Sequence, residues 1–182
     1  MIKPTNKQII FIKHILLKSV KNLVKYDLEL FRILQNTPYK KVKTLDRKLY
    51  EVSINHRLAY YIEREIKKNI LKKYHVDLEY NRYYYTVKKV LINKKQKAIR
   101  PDILVHSRRD NKIKPQHYLA IEAKKGKISI YDEKKLKGLI SYHLFHYMFG
   151  LGISYCYNPN CVTGRLYYFN GKEIINEEIN FE

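Results

Sequence analysis

Two short stretches hold side chains whose types and spacing could do chemistry. They are RPDILVH, with Pro101 and Asp102, and LAIEAKKG, with Glu122 and Lys124. Each acid borders an apolar run: Ile103, Leu104 and Val105 in one case, Leu119, Ala120 and Ile121 in the other. A carboxylate in such a run is costly to bury unless a charge or a cation meets it. On a strand, residues i and i+2 share a face, so Glu122 and Lys124 are neighbours. If the Asp102 strand pairs with the Glu122 strand, two carboxylates converge at one end of a sheet. Close carboxylates repel, and a hard divalent cation, Mg²⁺ or Mn²⁺, relieves the repulsion. The competing reading is a pair of structural ion pairs, Glu122 with Lys124 and Asp102 with Arg100 or a backbone amide. Any single pair favours that reading. The combination of Pro-Asp, nineteen intervening residues and Glu-x-Lys between two helical stretches favours the cation.

Such a pair needs adjacent strands and helices to cover them. Residues 76–85, 99–106 and 118–124 are the strand candidates, and Pro101 is tolerable at the start of the second. KKVLINKKQK and SRRDNKIKPQ separate them as hairpin-like connections. Residues 50–71 predict a helix with Leu58, Ile62 and Ile66 on one face, and Glu51 falls on that same face. Residues 132–149 predict another, with Leu136, Leu139, Ile140, Leu144 and Met148 inward and Asp132 and Glu133 at its electropositive start. Strands follow at 150–157 and 165–170, and the last ten residues, with four acids and no base, are expected to fray. An N-terminal helical pattern over 6–35, with room for one break, carries Ile9, Ile12, Leu16, Leu23, Tyr26, Leu30 and Ile33 on one stripe. Thr37 and Pro38 end it. Val20, Val24, Leu28 and Phe31 widen the stripe beyond a coiled-coil seam, so this segment should pack on the main domain. The whole order predicts an α/β sandwich around a small mixed sheet.

Composition narrows the partners. With 182 residues the chain fits one domain, and 45% hydrophobic residues make it globular rather than disordered. Its 37 Lys and Arg against 17 Asp and Glu give a formal charge of +20, which predicts attraction to a polyanion. A merely lysine-rich surface is the bland alternative. No Trp is present to build an interfacial belt, so nucleic acid is expected and a membrane is not. Lys88, Lys89, Lys94, Lys95 and Lys97 on one hairpin, and Lys125, Lys127, Lys134, Lys135 and Lys137 beyond Glu-x-Lys, are placed to track phosphates. Tyr83, Tyr84 and Tyr85 could stack on bases, although sheet packing is the commoner use of such a run.

Other features carry less. Residues 138–164 lack Asp, Glu, Lys and Arg, but His143, His146, Gly150, Gly152 and Pro159 interrupt them, so a buried helix and strand are expected rather than a membrane span. Lys13 and His14 break the first apolar run, and two cysteines make no disulfide framework; a reducing cytoplasm is the expectation. His143 and His146 with Cys156 and Cys161 form a nominal zinc set whose spacing is not that of a finger. His56 is expected on a helix surface. His106, on the Asp102 strand face, is a candidate to support that acid from behind.

The set Pro101, Asp102, Glu122 and Lys124 resembles the motif of the PD-(D/E)xK nuclease superfamily, the restriction-endonuclease-like fold. The likeness extends over about residues 50–170, and YEVSINHRLAYYIE with VDLEYNR is similar to the opening of an uncharacterised bacterial subgroup. It implies an αβββαβ core, a central mixed sheet flanked by helices, over residues 49–182, with residues 1–48 as an N-terminal helical extension. It further implies Mg²⁺- or Mn²⁺-dependent hydrolysis of DNA phosphodiesters, in a defence system or a mobile element. In that scheme Asp102, Glu122 and the backbone carbonyl of Ala123 hold the metal. Lys124 would orient the attacking water, stabilise developing charge, or act as base if its pKa is depressed. Members of the superfamily add a third acid from the first helix. Glu51 is the candidate for it, and Glu79, on the face of Asp77, competes. The alternative is a non-catalytic nucleic-acid-binding module that keeps the fold. Oligomeric state is left open by the sequence; a homodimer would suit double-strand cutting, and the N-terminal helix is the segment that would make it.

Overall fold

A computed structural model describes residues 1–32, 46–83, 86–93, 95–108, 110, 112–142, 145–155 and 162–181. Helix α1 (Asn6–Tyr26) opens with a capping box between Thr5 and Gln8 and buries Ile12, Ile15, Leu16, Val20 and Leu23. The N-terminal pattern breaks once, at buried Asp27, before a short α2 (Glu29–Arg32). Asp27 is engaged elsewhere: its carboxylate accepts from Arg57 Nε at 2.7 Å and from the Tyr61 hydroxyl at 2.6 Å, both on α3 (Asp46–Lys67). The expected helix end at Thr37 and Pro38 lies outside the described residues.

Six strands form the main sheet in the order β1-β6-β7-β8-β9-β10. These are β1 (His75–Leu78), β6 (Ile103–His106), β7 (His117–Lys125), β8 (Phe149–Tyr155), β9 (Thr163–Phe169) and β10 (Ile174–Asn180). Only β7 and β8 pair in parallel, through the crossover helix α4 (Ile130–Ser141); the other neighbours are antiparallel. The result is a mixed sheet with helices on both faces. Leu119, Ile121 and Ala123 of β7 join the core under α1 and α3, whereas Ala120 joins the core under α4. By strand alternation Glu122 and Lys124 therefore belong to the α4 face. No helix among the described residues is long and apolar enough to cross a membrane.

The excursion between β1 and β6 corrects the expected strand over 76–85. β1 stops at Leu78, and Glu79 adopts φ 49°, which ends an extended run. Two small hairpins follow: β2 (Arg82–Tyr83) with β3 (Thr86–Val87), and β4 (Lys89–Ile92) with β5 (Lys95–Ala98). Val90, Ile92 and Ile99 pack on α4. Gly138 permits this contact, because a Cβ there would stand 3.0 Å from Val90 Cβ. The helix expected over 132–149 ends at Ser141, since Tyr142 turns extended (φ −70°, ψ 126°) and Phe149 already belongs to β8. The C-terminal residues, expected to fray, instead form edge strand β10, seated by buried Ile179 and by Glu177, which binds Lys13 and the Tyr168 hydroxyl.

Candidate active site

The two acids meet where β6 begins and β7 nears its end. Asp102 precedes β6 by one residue, and its amide donates to the Ile121 carbonyl at 3.1 Å. Its carboxylate accepts from the Ala123 amide at 2.7 Å, between the Glu122 and Lys124 positions. Glu122 is fully buried. The Lys124 ammonium donates to Glu51 Oε1 at 3.2 Å and lies 3.6 Å from Asp102 Oδ2. Glu51 also accepts from the Lys125 amide at 3.2 Å, so α3 clasps the end of β7. Gly126 follows at φ 84°, a conformation that glycine adopts without strain, and carries the chain off the strand.

Glu122 is not paired with Lys124, as the ion-pair reading required. Its Oε2 accepts from Lys135 Nζ at 2.5 Å, and Lys135 also binds Asp132 Oδ1 at 2.9 Å. Both belong to α4, whose start is fixed by a capping box between Ser129 and Asp132. Glu122 Oε1 is buried without a hydrogen-bond partner among the described residues. Sequence reasoning missed Lys135 and Asp132 as members of the site. The signal was present in Ser-x-x-Asp with a lysine three residues on, which sets both side chains on the first turns of a helix.

Charge states follow from burial and these partners. Burial pushes the Glu122 carboxyl up to about 8; Lys135 opposes the rise, and Asp102 and Asp132 add to it. Burial also raises Asp102, against the Ala123 amide and Lys124. Burial pulls Lys124 down, but Asp102, Glu51 and Glu122 outweigh it and leave its pKa raised. Lys124 is therefore held as an ammonium, which disfavours the role of base.

A divalent cation can be tested against these donors. No three His, Cys, Asp or Glu side chains among the described residues are gathered tightly enough to hold an ion. Mg²⁺, however, is commonly held by one or two carboxylates and keeps several waters. Asp102 and Glu122 are a hard-oxygen pair in mutual repulsion, and one Glu122 oxygen is buried and unpartnered. The donor set fits a cation of that kind.

The remaining candidates sort clearly. Glu51 reaches the site, whereas Glu79 lies beyond the end of β1 and faces Arg100 at 3.5 Å. His106 Nε2 bonds Asp77 Oδ2 at 2.8 Å rather than Asp102. His56 is exposed. Lys88, expected to touch phosphates, is 1% exposed, and its ammonium lies 4.6 Å from the centre of the Tyr80 ring, because its position alternates onto the inner face of the hairpin. Lys89, Lys95, Lys97 and Lys127 are exposed, and Lys125 is half-buried. Lys134 ties α4 to the hairpin through Asn93 at 2.8 Å. Lys94, Tyr84, Tyr85, His143, Cys156 and Cys161 lie outside the described residues, as does the side chain of Tyr83. Comparison with protein-family models, curated proteins and solved structures returned no match.

Proposed function

We propose that the chain is a Mg²⁺-dependent nuclease of the PD-(D/E)xK type that hydrolyses DNA phosphodiester bonds. The observation that carries this reading is the junction of Asp102, Glu122 and Lys124 at one end of β6 and β7, with a buried Glu122 oxygen that has no hydrogen-bond partner among the described residues. The order α3, β1, β6, β7, α4, β8 supports it, because it follows the helix, three strands, helix, strand sequence of the restriction-endonuclease-like core. The two hairpins would then be an insertion before the second core strand.

Asp102, Glu122 and the Ala123 carbonyl would hold the cation, and Glu51, linked to the site through Lys124, would add negative charge beside it. Bound there, a divalent ion lowers the pKa of water and offsets charge on the phosphoryl group. The chain's own part is electrostatic. Asp102 and Glu51 fix the Lys124 ammonium, which can donate to a phosphate oxygen or to an attacking water without reorganising. The Ala123 amide holds Asp102 in position. Exposed Lys89, Lys95 and Lys97 on the β4–β5 hairpin offer phosphate contacts without base readout.

Incubation with supercoiled, linear and single-stranded DNA in Mg²⁺ or Mn²⁺ tests this. Wild type should cut, and Asp102→Ala and Lys124→Ala should each lose about 100-fold or more. Cleavage that persists in both variants overturns the reading. A second reading, a non-catalytic nucleic-acid-binding module, is favoured by one observation: each acid already has a protein partner, Lys135 for Glu122 and the Ala123 amide for Asp102. It requires salt-sensitive DNA binding with no cleavage and no Mn²⁺ uptake.

A further inference from the structure

Resting on the metal-site reading above, we infer that Lys135 is a displaceable counter-cation, an ammonium that holds Glu122 when no metal is present and withdraws to Asp132 when a divalent ion enters.

Lys135 stands one turn inside α4, and its side chain is 13% exposed. Its ammonium is shared between Glu122 Oε2 at 2.5 Å and Asp132 Oδ1 at 2.9 Å. The second anchor matters. Asp132 is fixed by the Ser129 hydroxyl at 2.6 Å, so an ammonium that leaves Glu122 keeps a carboxylate at the place it already occupies. Lysine suits such a shift, because its charge is compact and its stem has several rotatable bonds. Lys124 bridges a different pair, Glu51 at 3.2 Å and Asp102 at 3.6 Å, and does not contact Glu122 among the described ion pairs.

Formal charge points the same way. With every carboxyl ionised, as a bound cation would require, Glu51, Asp102, Glu122 and Asp132 carry four negative charges along this chain of ion pairs, and Lys124 and Lys135 carry two positive ones. The excess of two negative charges equals the charge of one divalent ion. A cation at Glu122 then meets an ammonium within contact range, and the two repel. Lys135 thus sets the threshold for metal entry. It touches no reacting atom and is a positioning residue.

The test is Mn²⁺ binding followed by calorimetry, together with the thermal midpoint with and without Mn²⁺, on the full chain. Lys135→Gln keeps a hydrogen-bond donor near Glu122 and removes the charge. It should bind Mn²⁺ about tenfold tighter than wild type, since one like charge is gone. It should also melt lower than wild type without metal and gain more on adding it. Lys135→Arg should restore wild-type affinity. Asp132→Asn, which keeps a capping side chain but loses the second anchor, should bind Mn²⁺ more weakly. Unchanged or weaker Mn²⁺ affinity in Lys135→Gln overturns the inference and leaves the metal site standing. No uptake by folded wild type and by Lys135→Gln alike overturns the metal site itself.

Discussion

At the residue scale the molecule separates two kinds of acid, the half-buried Asp77 and the buried Glu122. Asp77 is satisfied: Nε2 of His106 lies 2.8 Å from Oδ2, and Arg108 donates to both oxygens at 3.0 and 2.8 Å. The His106 hydrogen bond, with that of Arg108, holds its carboxyl well below the usual range against burial. Burial lowers His106 against the opposing pull of Asp77, and an ionised carboxylate can only accept, so Nε2 is the donor in this bond. A carboxyl depressed in the folded state contributes stability above its unfolded pKa, and that stability is lost as pH falls toward the folded value. Asp77→Asn should therefore flatten the loss of urea stability below about pH 4 and leave its pH dependence near neutrality unchanged. A variant whose acid limb matches wild type would contradict this role. Glu122 is the opposite case, raised to about 8 with one oxygen unpartnered. The nearness of Asp102, Glu122 and Lys124 was legible from residue type and spacing, and Glu51 entered through the resemblance to a superfamily that adds an acid from its first helix. Their pairing was not legible, because Lys135 comes from a helix that meets Glu122 only after the crossover folds back. Lys88 was illegible for a related reason: nothing in a run of lysines says which one alternation will turn inward.

At the element scale, α4 and the β4–β5 hairpin act together, since Val90 packs on Gly138 and Asn93 bonds Lys134. Gly138→Leu should overpack this contact, lowering stability by about 1–3 kcal/mol in urea denaturation. It should weaken DNA binding by displacing the hairpin while leaving Mn²⁺ uptake at Asp102 and Glu122 intact. Helix α1 is held to α3 through the Asp27 carboxylate, so Asp27→Ala should cost about 1–3 kcal/mol by leaving Arg57 and Tyr61 without their acceptor. The strands that carry the site, and the three long helices, were readable from period and apolar run. The break at Glu79 was not, since a left-handed residue other than glycine or asparagine leaves little trace in sequence. Nor was β10, whose acids mimic a solvated tail while Ile174, Ile175 and Ile179 do the seating. The helix reading ran on to Phe149 because Leu144 and Met148 keep a helical spacing past Tyr142, where the chain turns extended ahead of β8.

At the scale of the whole molecule, a charge of +20 would make affinity for the proposed nucleic-acid partner a steep function of salt. Replacing Lys89, Lys95 and Lys97 together by Gln should reduce the slope of log affinity against log salt by about 2–3 on duplex DNA, equally across sequences. An unchanged slope would place the phosphate path elsewhere on the surface. The proposed metal site is more local than this field: Asp102 and Glu122 would share one divalent ion. Titration calorimetry of Mn²⁺ into the metal-free protein addresses it directly. Wild type should take up one ion per chain, and both Asp102→Asn and Glu122→Gln should lose that binding. Equal uptake by wild type and both variants, or no uptake by the folded wild type, would contradict it.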